Sequence, residues 1–301
     1  MWPWLLGVAI LAVVVSRVPL TAFRAALGHG PHLALAATNL AIAVVTLSTD
    51  TFATWIGLIA MRIRRPIADI AAVRGATYAL FVLNYAVGQS AFGYYLHKSG
   101  TQGLRAVGAT LFLLGTNLAT LLVLTLVAAL AGNVEMPNPH LVLTLEMAVA
   151  ALAAYLVVIA IAPAFLTRRE VFAPLFEASL RGHLLAMLAR IPHVAVMVLG
   201  QWAALRVWGI AVPFEVGIVV MPVVVIASVL PLSPAGLGTT QAALVYCFAS
   251  YAAGATSDDQ QATVLAFAIV HFVYGVAGSL LVGLVCLPIA RRRGVLHRHP
   301  T

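Results

Sequence analysis

The sequence predicts an all-α polytopic membrane protein, with about six full transmembrane helices and two re-entrant helical hairpins in an inverted-topology repeat. Three observations predict it. The chain is 62% hydrophobic and 9% charged, with mean hydropathy +1.03, whereas a soluble domain carries roughly 25% charged residues. Its apolar residues fall into long segments separated by short linkers rich in Gly, Pro or charge. The basic residues sit in those linkers, in a pattern that does not allow every segment to cross the membrane.

In order, the apolar segments are 2–18, 33–60, 74–97, 104–131, 140–166, 184–209, 214–253 and 262–288. Met1-Trp2-Pro3-Trp4 lacks a basic region and reads as the head of a first helix with interfacial Trp anchors. Segments 33–60, 104–131, 140–166, 184–209 and 262–288 are long enough for full crossings, which take about 20 apolar residues. The stretch 168–182 mixes charge with apolar residues and suits an interfacial helix. Residues 1–301 form one membrane domain, with pseudo-repeats at about 1–131 and 140–288.

The positive-inside rule orders these segments. Arg291-Arg292-Arg293 sets the C-terminus inside, and counting back places Arg168, Arg169, Arg181, Lys98 and Arg105 inside as well. The 62–74 linker, with Arg62, Arg64, Arg65 and Arg74, also wants to be inside, yet only 74–97 separates it from Lys98. A segment whose two ends share a side does not cross, so 74–97 is expected to be re-entrant, broken at the polar run Asn84–Ser90. The same logic makes 214–253 a hairpin from the opposite side, and each half becomes helix, helix, hairpin, helix. This leaves Arg17 and Arg24 on the outer side.

The second hairpin carries the strongest local signal. Pro231, Ser233, Pro234, Gly236, Gly238, Thr239, Thr240 and Gln241 interrupt runs 214–230 and 239–253, each too short to span comfortably. Backbone breaks at membrane depth are tolerated only where protein or a polar cavity satisfies the freed groups, and in transporters they mark the substrate site. Half-helix N-termini present unpaired N–H groups and a positive dipole end suited to phosphate.

Leu230-Pro231-Leu232-Ser233-Pro234-Ala235-Gly236-Leu237-Gly238-Thr239-Thr240-Gln241 resembles the Pro-x-x-x-Gly-Gly-x-Gly-x-x-Glu signature of the flippase-like transmembrane region of lysylphosphatidylglycerol synthases. Asn84, Gly88, Gly93, Leu96 and Gly100, followed by Arg105, resemble that family's Asn…Pro…Gly-Glu…Arg pattern in the first half. The resemblance spans about 33–288. Ala235 stands where the family often has Gly, Gln241 where it often has Glu, and Gln89 and Ser90 where charged residues are frequent. The resemblance implies a stand-alone lipid translocase without the aminoacyl-transferase domain, in a bacterial inner membrane with the C-terminus cytoplasmic. Its expected partners are membrane lipids: an anionic or aminoacylated phospholipid, or a polyprenyl phosphate. A homodimer is compatible with that plan.

Candidate pathway residues are Asp50, Asn84, Gln89, Arg190, Ser233, Gly236, Gly238, Thr239, Gln241 and His271. Asp50 lies deep in 33–60, where a carboxylate is costly and defaults to function; a cationic headgroup, a coupling proton or Arg190 would each suit it. Arg190 offers bidentate donors to a lipid phosphate, or snorkels to the inner interface. His271 shares a helix face with Tyr274. A secondary transporter of a small solute or a non-transporting helper subunit would share this plan. The net charge of +8 reads as topology and headgroup contact rather than nucleic-acid binding. Cys247 and Cys286 lack metal or disulfide spacing. No nucleotide-binding motif, paired carboxylates or serine motif appears, so neither cofactor nor enzyme activity is expected.

Overall fold

The computed structural model describes residues 2–83, 85–131, 139–229 and 236–295. It is all-helical, 85% helix, with no strand among the described residues. Among the described residues, four helices are long and apolar enough to cross a membrane: α3 (His32–Ala60), α6 (Gly103–Ala131), α9 (Ala173–Val207) and α12 (Ser257–Arg292). Around them lie α1 (Trp2–Ser16), α2 (Leu20–Gly28), α4 (Ile67–Phe81), α5 (Tyr85–Lys98), α7 (Pro139–Ile161), α8 (Ala164–Thr167), α10 (Phe214–Val229) and α11 (Thr239–Phe248).

The long helices obey local rules at their ends. α12 begins where Thr256 and Asp259 form a reciprocal capping box, and it ends on Arg291 and Arg292, cations that complement its dipole. Leu40, Val44 and Val45 of α3 and Leu280, Leu281, Leu284 and Val285 of α12 are exposed. So many large apolar side chains facing outward on single helices match hydrocarbon better than water.

Two large apolar cores stack along the helices, with a smaller cluster of Val18, Ala262 and Leu265 beside α1 and α2. One gathers Leu58, Met61, Ile70, Phe92, Leu96 and Phe112 around α4 and α5. The other gathers Leu35, Val198, Trp208, Val220, Leu244, Phe248 and Phe267 around α10 and α11. α3 packs on α9, α6 on α9, α3 on α12, and α4 on α12. The α4–α12 contact depends on small residues: a Cβ on Gly283 would lie 3.0 Å from the Ala79 Cβ. Gly283→Val should therefore push the pair apart and lower stability by about 1–3 kcal/mol, read as a lower unfolding midpoint in detergent.

The first core sits at one end of the bundle, where several linkers are tied together. Arg65 donates to the Ser99 carbonyl and, at 3.4 Å, to Thr101 Oγ1, so the start of α4 and the end of α5 lie side by side. Arg293 Nε donates to Asp69 Oδ1 at 2.7 Å, bringing the end of α12 to the same place. At the opposite end the Ala211 N–H donates to the Tyr251 carbonyl at 3.0 Å, joining the outer ends of α10 and α11.

Several boundaries differ from the sequence expectation. The first arm begins at Ile67, directly after Pro66, rather than at Arg74, and α5 resumes at Tyr85. Gln89 and Ser90 are thus helical, and Asn84 lies outside the described residues. Segment 2–30 is two helices bent by 99° about Arg17–Pro19. In the stretch 168–182, expected as an interfacial helix, residues 173–178 are helical and form the first part of α9, set off from its body by a break at Ser179, at φ 57° and ψ 175°.

Candidate functional site

Between the two apolar cores lies a buried polar layer. Asp50 comes from α3, Arg74 from α4, Gln89 from α5, and Arg190 and His193 from α9, each at most 7% exposed. Ten residues separate Asp50 from the Ala60 end of α3 and eleven separate Arg190 from the Ser179 break. At about 1.5 Å per residue, both sit roughly 15 Å along their helices from these points.

One carboxylate serves two guanidinium groups. Arg190 Nη1 donates to Asp50 Oδ1 at 2.6 Å, and Arg74 Nε lies 3.1 Å from Asp50 Oδ2. Thr54, one turn beyond Asp50, receives Arg74 Nη2 at 3.1 Å and Arg190 Nη2 at 3.4 Å. Arg74 Nη1 donates to Gln89 Oε1 at 3.0 Å, and the Phe92 ring lies 4.5 Å from the Arg74 guanidinium carbon. Arg74 is therefore saturated and holds α3, α4 and α5 together. Arg190 Nε and His193 Nδ1 are buried with no hydrogen-bond partner. Two full positive charges against one negative leave the triad cationic, in a medium where burying charge is expensive.

This layer borders a cavity of about 150 Å³, lined by Asp50, Tyr78, Gln89, Asn117, Arg190 and His193 among others. Phe81, Met197 and Ser279 also line it, and the same three line a second cavity of about 330 Å³ that reaches Ser228, Thr240 and His271. The two chambers adjoin through these shared residues. Beside the triad, an apolar groove of about 180 Å³ runs between α4, α5 and α12, lined by Val73, Ala76, Leu80, Tyr94 and Leu287, with Lys98 also lining it.

Asp50, Gln89 and Arg190, expected from the sequence as pathway residues, thus come together. The second hairpin's residues do not join them. Gln241 is fully buried, and its Oε1 accepts from the Gly238 N–H at 2.6 Å. Gly238, at φ 84°, lets the α11 start approach α1, where a Cβ would lie 3.0 Å from the Ile10 Cβ. The Thr239 hydroxyl donates back to the Gly236 and Ala227 carbonyls, both at 3.1 Å. The Gly238 N–H, the Gln241 Oε1 and the Thr239 hydroxyl are thus used in closing the turn. Gly236 has φ 74° and serves the same turn. Thr240 Oγ1 and Gln241 Nε2 keep buried, unpartnered atoms. His271 stacks on Phe267 at 5.2 Å and faces the second cavity. Ser233 lies outside the described residues.

Arg74 is the residue that the sequence reading misassigned. Counted with the Arg62–Arg65 linker as a topology marker, it is instead 1% exposed and paired with Asp50. Its flanks, Ala71-Ala72-Val73 and Gly75-Ala76-Thr77, held the signal: an arginine inside an apolar run is a membrane-depth charge. Glu146 and Glu215 are both exposed, and neither lines the cavities described here. Among the described residues, no three of His, Cys, Asp and Glu gather as a metal would require.

No family model, curated protein or solved structure matches the chain.

Proposed function

We propose that the protein is a lipid translocase that moves a phospholipid or related phosphate-bearing lipid between leaflets. The observation that carries this reading is the cationic Asp50–Arg74–Arg190 triad beside a mid-depth cavity, with Arg190 Nε unpartnered and buried. A phosphate oxygen entering the cavity would take that N–H and neutralise the excess charge. Arg74, saturated by its own partners, positions Asp50 and the hairpin, while Arg190 supplies the contact. A separate apolar groove on the same hairpin, with Lys98 at its lining, favours a lipid over a small soluble anion, because it offers an acyl chain a path along α4 and α5.

The architecture supports the same reading. The α4–α5 and α10–α11 hairpins are tied at opposite ends of the bundle, and their arms of 10–16 residues are short for a crossing. The packing partners exchange when the halves are exchanged. α3 on α12 corresponds to α6 on α9, α4 on α12 to α10 on α6, and α5 on α6 to α11 on α12. This exchange supports an inverted repeat, in which α1–α2 and α7 would add two crossings to the four long helices. The resemblance of 230–241 to the lysylphosphatidylglycerol synthase membrane region agrees with it. Arg291–Arg293 and Arg62–Arg65 gather at one end, which the positive-inside rule makes cytoplasmic in a bacterial inner membrane.

Two measurements test this. Cysteines at Ala68 and Gln102, both exposed, should label from the same side in a background lacking Cys247 and Cys286; opposite sides would remove the first hairpin. Leaflet-selective quenching of reporter-labelled phosphatidylglycerol should proceed faster in proteoliposomes than in protein-free liposomes. Equal rates with folded protein would point to a solute carrier or helper subunit.

A further inference from the structure

The tied end of the bundle carries a second basic site that the central cavity does not use. Arg62, Arg64, Arg65 and Arg105 line a pocket of about 440 Å³, together with Gly100 and Thr101. Arg105 is paired with Glu177, and no other carboxylate among the described residues pairs with any of the four. Arg65 is fixed by the Ser99 carbonyl and keeps a buried, unpartnered Nε. Arg62 holds a left-handed backbone, φ 59°, an uncommon conformation for a side chain of this size. The 29-residue helix α6 starts at Gly103, next to the Thr101 and Gln102 wall. Its first-turn N–H groups have no intrahelical acceptor, and its dipole favours an anion there. Leu113, the nearest α6 residue lining the central cavity, is eight residues from Arg105, about 12 Å along the helix, and the two pockets share no lining residue.

We propose that this pocket binds a phosphate group, with Arg62 and Arg64 as its mobile donors, Arg65 and Arg105 as its fixed ones, and the α6 N-terminus as its floor. The phosphate belongs either to an anionic lipid headgroup in the adjacent leaflet or to a soluble phosphorylated molecule. Arginines that merely mark topology would attract headgroups without saturation and without dependence on particular side chains. A built pocket saturates at one equivalent.

The test uses the full chain in two settings. Pyrophosphate is titrated calorimetrically into detergent-purified protein at low ionic strength. Separately, retention of phosphatidic acid from phosphatidylcholine nanodiscs is counted by native mass spectrometry. The R62Q/R64Q variant changes two exposed side chains, so its unfolding midpoint should match wild type. Saturable one-to-one pyrophosphate binding, weakened at least about tenfold in R62Q/R64Q by loss of two charge-assisted hydrogen bonds, establishes a soluble-phosphate site. One retained phosphatidic acid, lost in the variant, with no pyrophosphate binding, establishes a headgroup site. Absence of saturation in both settings overturns the proposal. So does undiminished binding in R62Q/R64Q, or binding lost instead in R190A, which would place the anion in the central cavity.

Discussion

Asparagine in place of Asp50 is expected to be among the most destabilising single substitutions in this protein. The side chain keeps its shape but loses its charge. Arg74 and Arg190, 1% and 2% exposed, would then face each other with no counter-ion. Removing one partner from a buried ion pair costs about 3–5 kcal/mol, because a charge is left uncompensated; here two are left. A lower unfolding midpoint in detergent and loss of lipid movement should appear together. The double variant Asp50→Asn/Arg190→Met removes one of the stranded charges. It should recover at least about 1 kcal/mol of the loss, a coupling expected of residues in one ion-pair network, while remaining inactive in transport. Equal stability of the single and double variants would show that the charges do not interact as the geometry requires.

Arg190→Ala should behave differently, and the difference follows from the two-to-one charge count. Without Arg190, Asp50 still has Arg74 Nε at 3.1 Å, and the triad becomes a neutral pair. What is lost is the 2.6 Å hydrogen bond to Asp50 and the spare Nε beside the cavity. The stability cost should be about 1.5–3 kcal/mol, that of a hydrogen bond to a charged group, rather than that of a stranded ion. Transport should fall by at least about tenfold, since phosphate recognition loses its unpartnered guanidinium N–H. Arg190→Lys should restore charge but not the fork, and recover only part of the rate. Arg74→Ala, by contrast, should lose both folding and transport, because it also removes the Arg74–Gln89 hydrogen bond and unties α4 and α5 from α3.

Much of this was legible in the sequence because membrane solvation acts on whole segments. α3 and α6 match the apolar runs 33–60 and 104–131 within one residue. Helix ends were harder, since polar residues there are compatible with either helix or linker. α12 starts at Ser257, inside what reads as a Thr256–Gln261 linker, although Thr256 followed by Asp259 is itself a capping signal. α4 starts at Ile67, after Pro66, rather than at Arg74, since Arg74 is a charge compensated by a partner elsewhere in the chain and does not mark a water-facing linker. That partner, Asp50, is 24 residues away on another helix, and only tertiary packing brings them together. The Gly/Pro patch reads as a break, and α10 ends at Val229 and α11 begins at Thr239 on either side of it. Its polar groups could not be seen to satisfy one another, as Gln241 does Gly238, without the turn's conformation.

The central claim is that Arg190 recognises a lipid phosphate at mid-membrane depth, and lipid movement in proteoliposomes tests it most directly. Reporter-labelled phosphatidylglycerol, its lysyl form and phosphatidylcholine are followed by leaflet-selective quenching with wild type and Arg190→Ala, both verified as folded. The account predicts headgroup-selective movement by wild type and its loss in the variant. Movement by Arg190→Ala at the wild-type rate would contradict it.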